Sequence, residues 1–218
     1  MKCSAKLVAY TQPVIGIPAS GPEALVAYCA RVSNPSNQDN PDYEGLLKYC
    51  IRNKHWSVFE MVNAVIEVKA PRDITRQLLR HRSFSFQEFS QRYSDEIEFT
   101  DRDFRRQDNK NRQNSIDDLD GDVQNLSISQ MEALLDYVKD SYEAMRKGDV
   151  AKECARVILP EGLTMSTLYV NGTLRSWLTY LDVRDDPGVT QHEHVLLAQA
   201  IREALLPIFP TVLKKDNG

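Results

Sequence analysis

The sequence is short of everything that would mark a secreted, membrane-embedded or disulfide-built protein. It has four cysteines, at 3, 29, 50 and 154, and no two of them form a Cys-x-x-Cys pair. Cys29, Cys50 and Cys154 fall in stretches that read as helix, so buried, reduced thiols are expected rather than a disulfide framework or a cysteine metal site. Met1-Lys2-Cys3-Ser4-Ala5-Lys6 carries no apolar signal region, and no apolar run is long enough to span a bilayer. The expectation is a cytoplasmic protein with no membrane partner. An excess of positive charge is also missing. The net charge of −4 argues against a general nucleic-acid or membrane-surface binder, so any anion must be held locally by clustered arginines. There is no Gly-x-x-x-x-Gly-Lys-Ser/Thr loop, no Gly-x-Gly-x-x-Gly fingerprint and no His-Glu-x-x-His. His192-Glu193-His194 resembles a metal motif, but His-x-His on a helix points its two rings in different directions, and no metal is expected there. Repeats and low-complexity tracts are absent as well.

What is present is an ordinary globular composition, 42% hydrophobic and 27% charged over 218 residues. At that length roughly 70% of the unfolded surface is buried, so a single domain over residues 1–218 needs no covalent staple. Leu7 to Thr11 reads as a short strand ended by Pro13. A helix follows Pro22, with Leu25, Val26, Cys29 and Ala30 as its apolar stripe. A second helix covers about Tyr43 to Arg52. Val58 to Ala70, rich in β-branched residues, reads as a strand apolar on much of both faces and therefore central. Pro71 opens a short helix from Arg72 to Arg80 or Arg82. Arg72, Arg76 and Arg80 form a row on it, and like charges at that spacing are more easily understood beside an anion. Residues 101–122 read as an exposed polar connection, long enough to be a functional loop. Met131 to Met145 follows a helical period that Gly148 ends. Val150 to Leu159 is a helix stopped by Pro160, and Thr164 to Val170 a strand. Asn171-Gly172-Thr173 offers cap chemistry for a helix carrying Leu174, Trp177, Leu178 and Leu181. A last helix runs from about Gln191 to Leu206. Strands and helices alternate too sparsely for a doubly wound parallel sheet, so the fold class is α+β, a small, mainly antiparallel sheet with helices packed on it.

The chemistry gathers between Arg80 and Tyr93. Arg80-His81-Arg82-Ser83-Phe84-Ser85-Phe86-Gln87-Glu88-Phe89-Ser90-Gln91-Arg92-Tyr93 mixes arginines, a histidine, a carboxylate and hydroxyls with phenylalanines, which suits a site for an anion and a flat ring. Extended chain after Arg82 would point Glu88, Ser90 and Arg92 to one side. Gln77 and Arg80, at i, i+3 on the preceding helix, would add to them as donors around a phosphate, a task the guanidinium fork suits. The plainer alternative is a surface salt-bridge network around Glu88. The arginines flanking His81 disfavour its protonated form. Ser90 lacks the Gly-x-Ser-x-Gly elbow of a nucleophile. Arg156 and Arg184 stand at polar edges of otherwise apolar helices, Arg175 follows the Asn171-Gly172-Thr173 cap, and for Arg184 a helix C-terminus is itself a sufficient reason.

Arg80-His81-Arg82, seven residues, Ser90 and then Arg92-Tyr93 resembles the signature of the flavin-dependent thymidylate synthases. His55-Trp56-Ser57-Val58-Phe59-Glu60 resembles that family's His-x-x-x-Phe-Glu segment. Ala155-Arg156-Val157-Ile158-Leu159-Pro160 resembles its Ala-Arg-x-x-Leu-Pro segment, and Leu181-Asp182-Val183-Arg184 with Gln191-His192-Glu193 its C-terminal segment. The resemblance implies a thymidylate-synthase-complementing-like fold and a homotetramer with FAD held between subunits. It implies reductive methylation of dUMP to dTMP, with methylenetetrahydrofolate as one-carbon donor, NADPH as reductant of the flavin, and no cysteine nucleophile.

Carried over residue by residue, the resemblance assigns dUMP to Gln77, Leu78, Leu79, Arg80, Glu88, Phe89, Ser90, Gln91, Arg92, Arg156 and Arg184. Of these, Arg184 is the catalytic group, stabilising negative charge on the pyrimidine. It assigns FAD to His55, Ser57, Arg80, His81, Arg82, Glu88, Thr173, Arg175 and Thr179. The sequence departs from the family's pattern at Gln87, where Asn is common, and at Thr179, also commonly Asn. The segment between Arg184 and Gln191 is one residue longer than expected and lacks a usual histidine. Two other readings compete: a nucleotide- or RNA-binding module, opposed by the acidic net charge, and a cysteine-dependent thymidylate synthase. The latter needs a nucleophilic thiol in a polar pocket, which the helical settings of Cys29, Cys50 and Cys154 do not suggest.

Overall fold

Two long neighbouring strands carry the centre of the fold. The structure, a computed structural model describing residues 2–214, runs β1 (Ser4–Tyr10), α1 (Pro22–Ala30), α2 (Glu44–Arg52), β2 (Asn63–Pro71), α3 (Arg72–Leu78), β3 (Ser85–Glu88), β4 (Arg106–Gln107), β5 (Ser115–Ile116), α4 (Gly121–Lys147), α5 (Lys152–Ala155), β6 (Met165–Thr173), α6 (Leu174–Arg184), α7 (His192–Leu205) and α8 (Pro210–Leu213). The main sheet has the order β1-β2-β6-β3, and each neighbouring pair is antiparallel. This is the α+β architecture expected, an antiparallel sheet with helices on it.

Period-two alternation decides what the sheet covers. In β2, Ala64, Ile66, Val68 and Ala70 are buried, opposite Gly172, Val170, Leu168 and Ser166 of β6. Against this face lie Trp177, Tyr180 and Leu181 of α6 and Leu197, Ala198, Ile201 and Leu205 of α7, all buried. The Trp177 indole N–H donates to the Ala64 carbonyl at 3.3 Å, pinning α6 to the strand. The other face of β2 carries Asn63, Val65, Glu67 and Lys69, all half-buried. The strand is central as expected but not apolar on both faces.

Several boundaries differ for local reasons. Trp56–Glu60 is a 3-10 turn, so the strand begins at Asn63 and not at Val58. Val58 and Phe59 are drawn into the core there by packing, and their β-branched and aromatic character serves a turn. Pro71 is the N-cap of α3 and the helix stops at Leu78, before Arg80. In α1 the deeply buried residues are Pro22, Glu23, Ala24, Val26 and Ala27, while Leu25, Cys29 and Ala30 are half-buried. The Glu23 carboxylate accepts from the backbone N–H groups of Thr211 and Val212, capping α8 from across the chain. The polar stretch 101–122 contains the β4–β5 hairpin, and its acidic end is a helix start. Asp120 accepts from the N–H groups of Asp122 and Val123, so α4 begins ten residues before the apolar period that signals it at Met131. Val150 to Leu159 is split into α5 and a 3-10 turn at Arg156–Ile158. The Thr173 hydroxyl caps α6, accepting from Ser176 N–H at 3.2 Å, as its sequence suggests.

The candidate active site

The signature segment leaves α3 through a turn, crosses to the sheet edge as β3, and turns again after Ser90. Phe84 anchors it. Its ring is buried 4.4 Å (centroid to centroid) from Trp177, with His81, Phe86 and Tyr180 edge-on around it. The ring lies so close to β6 that a Cβ on Gly172 would overlap it, which is why glycine stands there. The extended run ends sooner than the alternation suggests. Glu88 pairs with Leu168 and accepts from the Ser166 hydroxyl at 3.0 Å. Gln91 to Tyr93 then form a turn in which the Ser90 hydroxyl accepts from Arg92 N–H. Alternation therefore does not carry Arg92 to the side of Glu88 and Ser90. Arg92 is exposed and faces Glu153 at 3.4 Å.

Two groups of polar side chains form around α3 and the turn after it. Along the helix, Arg72, Arg76, Gln91, Glu153, Arg156 and Glu161 line a cavity of about 340 Å3. Arg72 donates to the buried Gln91 amide oxygen, and Arg76 pairs with Glu161 at 2.8 Å. Arg156 is half-buried in this cavity and has no carboxylate partner among the described residues. The arginine row thus does border an anion-sized space, although Arg80 is not part of it.

In the turn after α3, Arg184 Nε donates to His81 Nε2 at 3.0 Å, and the His81 ring stands edge-on to Tyr180. Burial lowers the His81 pKa, and the Arg184 and Arg80 charges lower it further. The neutral imidazole expected from its flanking arginines is therefore present for a different main reason, desolvation. Behind it, Gln77 Oε1 lies 3.2 Å from His194 Nδ1, and His194 Nε2 lies 3.1 Å from the Tyr180 hydroxyl. Gln77 Nε2 donates to Gln191 Oε1 at 2.8 Å, and Gln191 Nε2 to Glu193 Oε2 at 2.9 Å. Arg105 closes the series on Glu193 Oε1. His194 is fully buried while His192 is exposed, so the two rings of His-x-His do part. Burial takes the His194 pKa down to about 3, and the Arg184 and His81 charges add to the shift.

The remaining candidates are spread around these groups. The Leu78 side chain is in the core and Leu79 packs half-buried against it. Phe89 is exposed beside a cavity lined by Ser166 and Thr167. Arg80 and Arg82 are exposed without an ion pair among the described residues. His55 and Ser57 are exposed at the 3-10 turn, His55 edge-on to Tyr49, and Arg175 reaches Glu60 at 3.0 Å. Thr179 lines a cavity of about 500 Å3 with Trp56, Leu178 and Asp182. Cys50 is buried, but Cys154 is exposed on α5, contrary to the expectation of buried thiols. Sequence reasoning missed Tyr180 and Arg105, and it weighed His194 only as half of a metal-like His-x-His. Each reaches its partner from a different element.

A family model described as thymidylate synthase complementing protein matches residues 6–211. A flavin-dependent thymidylate synthase of Synechocystis sp. is 49% identical over 211 residues, 95% of this chain and 96% of that protein. A probable flavin-dependent thymidylate synthase of Paramecium bursaria Chlorella virus 1 is 48% identical over 215 residues, 97% of each chain. The UMP/dUMP methylase PolB of Streptomyces cacaoi, solved with 5-Br dUMP, shares the fold with a TM-score of 0.79 at 24% identity, over 97% of this chain and 93% of that one. By sequence over nearly its whole length, the chain belongs to the family of flavin-dependent thymidylate synthases.

Proposed function

We propose that the chain is a cytoplasmic thymidylate synthase that methylates dUMP to dTMP. Methylenetetrahydrofolate is the one-carbon donor, FAD the cofactor and NADPH its reductant. The names of the relatives support the nucleotide and the flavin. The observation that carries the reading is the setting of Arg184. It is half-buried, and among the described residues its side-chain partner is the neutral imidazole of His81, not a carboxylate. A guanidinium held in place without being neutralised keeps its charge and its remaining N–H donors for a substrate. Directed at a pyrimidine edge, it stabilises negative charge that develops on the ring, which is Arg184's catalytic role. Arg156, with Arg92 and Ser90 on the neighbouring turn, supplies donors for the phosphate of dUMP, and Gln77 meets the nucleotide from α3.

The residues present also suit a flavin dinucleotide. Arg80 and Arg82 offer exposed guanidiniums without acidic partners among the described residues, the donor set a diphosphate requires. The Thr179 cavity offers the Trp56 and Leu178 surfaces beside a hydroxyl, suited to a flat ring system. When bound, the flavin supplies the hydride. Burial raises the pKa of Cys50, so its thiol stays protonated and is no nucleophile. Arg156 shares its cavity with Arg72 and Arg76 of α3, and that cavity is not lined by Arg184, which holds His81 instead. This separation supports a homotetramer in which the FAD and nucleotide sites are completed between subunits.

The test is direct. Purified protein is supplied with dUMP, methylenetetrahydrofolate and NADPH, dTMP is measured, and bound flavin is read from visible absorption. Formation of dTMP by flavin-loaded protein is expected. No dTMP from flavin-loaded protein, or equal turnover after the flavin is stripped, refutes the proposal.

A further inference from the structure

The hydrogen-bond series behind Arg184 has a polarity that one end dictates. Glu193 is held by Arg105, with Arg102 at 4.0 Å. Burial pushes its carboxyl up, but hydrogen bonds from Arg105, its own backbone N–H and Gln191, together with the Arg105 charge, bring it below its ordinary value. An ionised carboxylate only accepts. The Gln191 amide must therefore turn its NH2 to Glu193, which leaves its oxygen facing Gln77. Gln77 must then donate through Nε2, which sends its own oxygen toward His194. His194 must meet that oxygen with Nδ1–H, so its Nε2 carries the lone pair and accepts from the Tyr180 hydroxyl. Burial raises the Tyr180 pKa, which keeps that proton in place. Each amide and ring orientation follows from the one before it.

The geometry points to Glu193 and His194 as positioning residues for the nucleotide: acting from its two sides, they fix the Gln77 amide so that one N–H of Nε2 remains free to point at bound dUMP. With the opposite polarity the Gln77 oxygen would turn toward Gln191 and Nε2 toward His194, so the free N–H would leave the position it now holds and the oxygen, an acceptor, would be exchanged with it. His194 suits the task because its buried ring has one polar neighbour at each nitrogen, Gln77 and Tyr180. The inference rests on the reading of Gln77 as a dUMP contact.

Two measurements on full-length, flavin-loaded protein decide it. In 15N NMR of histidine-labelled protein, the His194 signals are identified by their loss in His194→Leu. An Nδ1–H imidazole with an unprotonated Nε2 is expected, and an Nε2–H imidazole overturns the proposal. Calorimetric titration with dUMP should show His194→Leu binding roughly tenfold more weakly, the scale of one hydrogen bond. His194→Asn places an amide N–H near the position of Nδ1 and should recover binding to within about threefold of wild type. An unchanged dissociation constant in His194→Leu, or an equal loss in both variants, overturns the proposal. Flavin content and melting temperature are read on the same samples. Should His194→Leu fail to fold, Glu193→Gln takes its place, with a mixture of His194 tautomers expected and a pure Nδ1–H form counting against the proposal. Absence of dUMP binding by the wild type would refute the assignment of the site, while the tautomer would still decide the polarity.

Discussion

Gly172→Ala tests whether the signature segment is held to the sheet by contact between Phe84 and bare backbone. The added Cβ would overlap Cδ1 and Cε1 of Phe84 and stand 3.4 Å from Ser176 Cβ. The ring has little room to retreat, because Trp177 lies 4.4 Å away and Tyr180 6.0 Å away, centroid to centroid. Overpacking of this kind costs about 1–3 kcal/mol. In a domain of this length each kcal/mol moves the melting temperature by about 2–4 °C, so a fall of roughly 2–12 °C is expected. Phe84→Ala alone should cost about 3–5 kcal/mol through the void it leaves. In the double variant the new methyl enters that void, so the two losses should fall short of their sum by about 1 kcal/mol or more. Urea unfolding followed by circular dichroism on all four proteins gives the cycle. Additivity within about 0.5 kcal/mol, or an unshifted Gly172→Ala, would show that Phe84 does not rest on this glycine. Because His81 and Tyr180 pack around the same ring, dUMP turnover in Gly172→Ala should fall further than the folded fraction explains.

Arg184→Ala should lower kcat by about 10²–10³ while dUMP still binds, as removal of one electrostatic donor does; steady-state kinetics beside a dUMP titration would expose wild-type turnover and sink the role. Replacing Cys3, Cys29, Cys50 and Cys154 together by alanine or serine should leave dTMP formation measurable in protein that folds, and loss of turnover in a folded, flavin-loaded variant would restore a thiol nucleophile. His194 gives stability a pH dependence. Its folded pKa of about 3 lies below the ordinary 6.5, so the unfolded chain binds the extra proton and stability falls as pH drops below about 6.5. The fall approaches about 1.4 kcal/mol per pH unit from this group down to about pH 3. Melting curves between pH 5 and 7 should be less steep in pH for His194→Leu than for wild type, and equal slopes would contradict the neutral buried ring.

Local grammar carried much of the fold. Thr173 reads as a cap because a hydroxyl before an apolar helical stripe has an N–H to meet, and it meets Ser176. The buried sides of β2 and β6 follow from alternation once the strand ends are known. The ends themselves were less legible. Val58 and Phe59 are β-formers by propensity, yet tertiary packing sets them in a 3-10 turn. Asp117 to Asp122 looks like loop composition until Asp120 is seen capping a helix whose first turns are polar and exposed. The Glu23 cap on α8 spans 188 positions, and nothing local announces it.

The site divides along the same line. Residue types between Arg80 and Arg92 declare an anion and a ring, because no core needs that mixture, and the resemblance attaches a reaction to them. What the types cannot declare is direction. The neutrality of His81 depends on burial and on Arg184, 103 positions away. Whether Gln77 offers oxygen or nitrogen to a substrate is set by Glu193, through Gln191, and answered by His194, 117 positions from Gln77. An amide carries both options until a charged neighbour removes one. A sequence therefore names the groups that meet a ligand before it names their orientation. In this chain that orientation passes from a carboxylate on α7 to a phenol on α6, through residues whose types alone leave both directions open.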